Sequence, residues 1–305
     1  RNINDTPEKD DKDFKQASSE LYKWMFKQPN NSIETELKNN NIKTLVFVLG
    51  SYSTALRNIP IAALYDEENN QYLIQKGYGI ALNLGSELIK TKALNKSKLN
   101  ILAAGVSEEN PVPEVDPEAF PELPSVVDEL CDIKDDEKFK SKKILPNDKF
   151  TPKALKNSIN SKAFGVIHLA THGQFSSSPD DTFILAYKKH INVNQLGNLL
   201  RSRQEKRTEP IELLVLSACE TANGDKRASL GIAGVSVKVG ARSIVASLFR
   251  VKDSPTYELM KTFYEKLDET GVTRAEALRY AQNELLKKGN SVYYWAPFVL
   301  VGNWS

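Results

Sequence analysis

Cysteine is scarce in this chain: two in 305 residues, Cys131 and Cys219. That is too few for the disulfide framework of a small secreted domain, so a reducing, cytoplasmic setting is expected, with a thiol left free to react. No apolar run approaches the roughly 18 to 20 residues of a membrane span, and no membrane partner is expected. Neither sign of charge dominates. Lys+Arg number 41 and Asp+Glu 39, a formal net charge of +2, and without a basic stripe of interleaved aromatics nucleic acid is not an expected partner. The glycines Gly231, Gly234 and Gly240 do not spell GxGxxG after a strand, there is no GxxxxGK[ST], and CxxC is absent. Nothing therefore cradles a nucleotide or holds a structural zinc, and neither cofactor nor metal is expected. The first residue is Arg1, with no leader after it, so the numbering is expected to begin inside a larger product or at a cut.

What is present is an ordinary globular composition, 40% hydrophobic and 26% charged, long enough to bury a large core. Apolar strand-like runs recur at 44–49, 99–105, 165–170, 213–218 and 243–249, with helical patterns between most of them. The alternation predicts an α/β fold with a largely parallel central sheet flanked by helices. Residues 108–124 hold Pro111, Pro113, Pro117, Pro121 and Pro124 and are expected to be a loop or linker. The mixed charges of 132–143 read as a solvated surface segment. These stretches suggest two halves, 1–145 and a catalytic 146–305.

Helix signals are clear near both ends. Residues 5–27 form an amphipathic pattern with Leu21, Trp24 and Met25 as its packing face. Ser254-Pro255 reads as an N-cap and first-turn proline, with Gly271 near the far end. Thr273 to Glu276 spells a capping box. No period of 20 to 50 residues is present.

Two segments carry chemistry. Ile167-His168-Leu169-Ala170-Thr171-His172-Gly173 and Leu213-Leu214-Val215-Leu216-Ser217-Ala218-Cys219-Glu220-Thr221 are apolar runs that end in reactive residues. Both read as buried parallel strands, and in open α/β sheets chemistry gathers at the strands' carboxyl ends. A Cys/His peptidase is the leading reading. Cys219 is the expected nucleophile, its thiol pKa lowered by a helix expected to begin near Ala228. His172 is the expected general acid and base. His168, deeper in its run, reads as a hydrogen-bonded core histidine rather than a ligand. A metal site from His168, His172 and Cys219 is not expected, because no fourth ligand is evident. Asp180, Asp181, Glu220 and Asp253 are candidates for a pocket taking a basic P1 side chain, although each also suits a turn or cap.

His172-Gly173 followed by Ala218-Cys219-Glu220 resembles the caspase-like cysteine peptidases, in which a histidine lies roughly 50 residues before the cysteine. The longer phrases His168 to Gly173, Leu216 to Thr221, Gly240 to Val251 and Tyr294 to Trp304 are similar to the CHAT family, caspase-like domains that accompany tetratricopeptide repeats. The resemblance implies a caspase-like fold, an oxyanion hole from the backbone amides of Gly173 and Cys219, and a substrate-receiving strand at Ala246, Ser247, Leu248, Phe249 and Arg250. It also implies an upstream repeat region or regulatory partner that gates a protein or peptide substrate, through a loop expected at 221–227. Ser217 stands where related families often place an acid, which leaves basic P1 specificity open. A catalytically silent interaction module is the alternative.

Overall fold

The computed structural model describes residues 7–28, 33–49, 59–83, 93–94, 99–112, 116–176, 178, 180–204, 210–217, 220–221 and 240–305. Eight strands form the central sheet: β1 (Thr44–Val48), β2 (Gly79–Asn83), β3 (Asn100–Gly105), β4 (Ser141–Pro146), β5 (Val166–Ala170), β6 (Leu213–Leu216), β7 (Ser243–Ser247) and β8 (Phe298–Gly302). Their order is β1-β2-β8-β7-β6-β5-β3-β4. Every neighbouring pair is parallel except β7 with β8. The sheet is thus largely parallel, with β1, β2 and β8 running against the other five. β3 pairs with β5 on one side and β4 on the other, so the sheet runs unbroken across the middle of the chain.

The eight helices are α1 (Pro7–Phe26), α2 (Ile33–Asn39), α3 (Ser125–Asp135), α4 (Pro152–Ser161), α5 (Val193–Gln204), α6 (Asp253–Asp268), α7 (Arg274–Lys287) and α8 (Val292–Trp295), counted among the described residues. Side chains alternate across the sheet with a period of two. Leu102, Leu169 and Leu214 face one core with Leu155 of α4 and Leu196 of α5. Ile101, Val166, Val215 and Val245 face the other with Val126 of α3, Phe263 of α6 and Leu278 of α7. Cover on both faces explains why the central strands are unbroken apolar runs.

Several expectations change. The 132–143 segment is not solvated surface throughout: α3 takes its start and β4 its end. As the sheet's last strand β4 carries Lys142 and Lys143, charges that guard an open edge and hide the strand from a reading of apolar runs. The 108–124 segment includes an antiparallel ribbon, Asn110–Val112 against Asp116–Phe120, set apart from the central sheet. In α1 Leu21 and Met25 pack against the core as expected, beside the buried Tyr22 and Phe26, whereas Trp24 is 64% exposed. Ser254 does not cap α6, which begins at Asp253 after Lys252. The Thr273 capping box forms as expected.

Two glycines are fixed by close approach. Gly302 has φ +100°, and a Cβ there would lie 2.4 Å from the Arg242 carbonyl oxygen. At Gly105 a Cβ would meet the Ala170 oxygen at 2.6 Å and Val126 Cγ1 at 2.7 Å. The missing side chain lets α3 seat directly against the end of β5.

A buried ionic cluster ties α1 and α2 to the hairpin Tyr65–Asp66/Gln71–Tyr72. The Asp66 carboxylate is fully buried between Lys27 and Lys76. Lys76 also reaches Glu34 at 2.8 Å, and Glu34 accepts from the Tyr22 hydroxyl.

Candidate active site

β5 and β6 lie side by side, Leu169 opposite Leu216, and the Ser217 amide donates to the Leu169 carbonyl at 3.1 Å. Beyond their ends the two chains pair again. Gly173–Phe175 and Glu220–Thr221 are parallel neighbours in a four-stranded sheet, with Gln174 opposite Glu220 and Phe175 opposite Thr221. Both motif segments are therefore held on each side of their reactive residues. Cys219 itself lies outside the described residues, as do Ala218, most of the loop expected at 221–227 and the helix expected near Ala228.

His172 sits between β5 and the second sheet. Its carbonyl accepts from the Leu185 amide at 2.8 Å, which fixes the backbone. Its Nε2 is 2.9 Å from the Pro121 carbonyl oxygen. A carbonyl only accepts, so Nε2 carries the proton, and Nδ1 is the basic nitrogen of the neutral ring. The Phe120 ring lies against the imidazole, centroids 5.5 Å apart. Beside His172 opens a cleft of about 450 Å³ between residues 121–125 and 250–256. Its walls carry Glu122, Arg250, Lys252 and Asp253.

The other expected site residues are placed unequally. Gly173 is buried, opposite Ile184 in the smaller sheet. Ala246 and Ser247 are fully buried within β7. Ala246 is paired with both Leu216 and Val299. The Leu248 amide donates to Pro297 at 2.9 Å, Phe249 is half-buried, and Arg250 reaches the cleft. Asp253 lines the cleft, but its carboxylate accepts from the Ser125 amide at 2.7 Å. It thereby caps α3, whose own N-cap residue is Pro124 and has no side-chain acceptor. Asp180 and Asp181 are exposed, and Gln174 donates to the Asp181 carbonyl at 3.1 Å.

His168 is a fully buried core histidine. Its Nδ1 is 3.0 Å from the Tyr264 hydroxyl. Burial, with the charges of Glu129 and Asp136, pushes that hydroxyl well above its ordinary value, so it stays protonated and donates to the ring. On the other side His168 Nε2 lies 2.9 Å from Glu129 Oε1, a close contact that is out of line for a hydrogen bond. Sequence reading missed Glu129. The signal was available: Val126, Leu130 and Ile133 mark the buried face of α3, and Glu129 is the charged residue on that face. Pro121 left no comparable signal, because it contributes only a backbone oxygen. Among the described residues no cluster of His, Cys, Asp and Glu is arranged to hold a metal ion, and no helix is long and apolar enough to cross a membrane.

The CHAT domain model matches residues 15–303. The chain belongs to the CHAT family. No curated protein matches the CHAT chain by sequence. Among solved structures it is similar to the Arg specific cysteine proteinase gingipain R, with a TM-score of 0.56 and 13% identity over 96% of this chain and 67% of that one. A complex of Porphyromonas gingivalis RgpB pro- and mature domains gives 0.56 and 13% over 95% and 68%. Separase from the Saccharomyces cerevisiae separase–securin complex gives 0.50 and 12% over 86% of this chain, which spans only 16% of that one. At such identities the likeness is one of fold, and the CHAT chain has the caspase-like α/β architecture.

Proposed function

We propose that this CHAT domain is a cysteine endopeptidase using Cys219 as nucleophile and His172 as general acid and base. The observation that carries the reading is the double register. Leu169 opposes Leu216 and Gln174 opposes Glu220, offsets of 47 and 46 residues. Carried to His172, those offsets fall on positions 219 and 218.

In the proposed reaction the Cys219 thiol gives its proton to His172 Nδ1, the resulting thiolate adds to the peptide carbonyl carbon, and the backbone amides of Gly173 and Cys219 receive the developing oxyanion. As the C–N bond breaks, the proton on His172 Nδ1 passes to the leaving amine, leaving a thioester. Water then attacks the thioester and gives its proton to Nδ1. The C–S bond breaks, releasing the new carboxyl group and restoring the thiolate. The Pro121 carbonyl holds the ring in the tautomer that leaves Nδ1 for this traffic.

The substrate is a protein segment bound in extended form along residues 246–250. Ala246 and Ser247 anchor that strand in the sheet and the Leu248 amide is held by Pro297, so main-chain partners for the peptide run from the Leu248 carbonyl to Arg250, with Asp253 and Asp181 at the margins of the P1 region. The structure of a peptidyl adduct tests this. Main-chain bonds to Leu248 to Arg250 are expected, and a peptide bound without them contradicts it.

Activity is gated by an upstream tetratricopeptide-repeat region or a regulatory partner, in a cytoplasmic setting. A partner that selects a minor competent population raises the rate without adding a catalytic group. Turnover per titrated active site is therefore expected to be lower for this chain alone than for the longer protein with its partner. Equal turnover in the two contradicts gating.

A further inference from the structure

α3 touches both motif segments, and a single carboxylate makes the inner contacts. Glu129 is 4% exposed. One of its oxygens lies 2.9 Å from His168 on β5, four residues before His172. The other lies 3.5 Å from the Ser217 hydroxyl, just past the end of β6 and two residues before Cys219. At its N-terminus α3 follows the Pro121 carbonyl that receives the His172 proton, and it is capped there by Asp253. Gly105 lets the helix sit in direct contact with the end of β5. A buried carboxylate costs stability unless its neighbours satisfy it, and neither of these two contacts has ideal geometry. Glu129 is a poor choice for stability alone.

We propose that Glu129 is a positioning residue: by bridging His168 and Ser217 it sets the spacing between the histidine and cysteine strand ends, and so of Cys219 against the His172 ring. The proposal rests on the peptidase reading. Its logic is geometric, since a displacement of about 1 Å at a reacting pair costs on the order of 100-fold in rate. Glutamine at this position keeps a carbonyl oxygen for His168 and an amide group for the Ser217 hydroxyl, whereas alanine keeps neither.

The test compares the full chain with Glu129→Ala, Glu129→Gln and Ser217→Ala. Peptide cleavage is measured along with the rates at which iodoacetamide modifies each cysteine, read by mass spectrometry. Cys131 is exposed on α3 two residues from Glu129 and supplies the internal reference rate, while the thermal transition of each variant reports whether the fold is kept. Glu129→Ala is expected to lower kcat by about 10- to 100-fold with KM within about twofold. Cys219 modification should fall toward the Cys131 rate while Cys131 is unchanged. Glu129→Gln should recover most of both losses. Ser217→Ala, which leaves α3 intact, should show a smaller loss that does not add to that of Glu129→Ala. If wild-type Cys219 reacts no faster than Cys131, the peptidase reading fails and takes the proposal with it. If wild-type Cys219 is fast and Glu129→Ala is equally fast, the reading stands and the positioning role is overturned. Equal losses in the alanine and glutamine variants also overturn it, because they assign the effect to charge rather than spacing.

Discussion

Cys219→Ala and His172→Ala are each expected to lower peptide cleavage by at least about 1,000-fold while leaving the thermal transition of the chain in place. In the proposed mechanism the thiol supplies the bond-forming atom and the imidazole supplies both proton transfers, so neither step proceeds through the remaining partner. Groups that act as one unit are non-additive, and the double variant should lose little beyond either single one. The fold should tolerate both changes. His172 is half-buried at the edge of a cleft rather than in either core, where its ring meets the Pro121 carbonyl and Phe120. Cleavage by Cys219→Ala at the wild-type rate would contradict the assignment.

Asp66→Ala is expected to cost about 3 kcal/mol, because it leaves Lys27 and Lys76 beside an empty buried site. Glu34 and Glu68 remain as partial partners, which places the loss at the lower end of the range for a broken buried pair. Burial works to raise the Asp66 carboxyl, but hydrogen bonds from Lys76, Asn69 and Lys27 outweigh it and hold the group well below its ordinary 3.8. A depressed folded-state value means that the unfolded chain takes up the proton first as the pH falls. The stabilisation is complete above 3.8 and drains away below it. For Lys76, burial acts to lower the value, and the bonds to Asp66 and Glu34 raise it above 10.5. Its contribution is complete below that value and is lost as the pH rises past it. Urea titrations of both proteins at neutral pH and near pH 3 measure this. The gap between wild type and Asp66→Ala should narrow in acid, and a gap below about 1 kcal/mol at neutral pH contradicts the buried-pair account.

Much of the central sheet was legible in the sequence, although the buried strands β2 and β8 were not among the expected runs. β3, β5, β6 and β7 are uninterrupted apolar runs because both faces are covered, β1 is an apolar edge strand of intermediate burial, and the ends of all five fall within a few residues of the expected bounds. β4 was hidden because it is an edge strand whose lysines imitate a surface loop. α6 was placed correctly but its cap was not: Asp253 is used across space, on Ser125, where no local pattern reveals it. The same limit applies at the site. His172 and Cys219 announce themselves by residue type at strand ends, whereas Pro121 acts through a backbone oxygen that every residue has. Glu129 acts through a tertiary contact, and only its place on an apolar helix face betrays it.

An electrophilic peptide probe offered to the intact chain, with both cysteines followed by mass spectrometry, tests the central claim most directly. An assembled Cys219–His172 pair predicts that Cys219 is labelled far faster than the exposed Cys131, and that His172→Ala removes the difference. Labelling of Cys219 no faster than Cys131 would contradict the account and favour a catalytically silent interaction module.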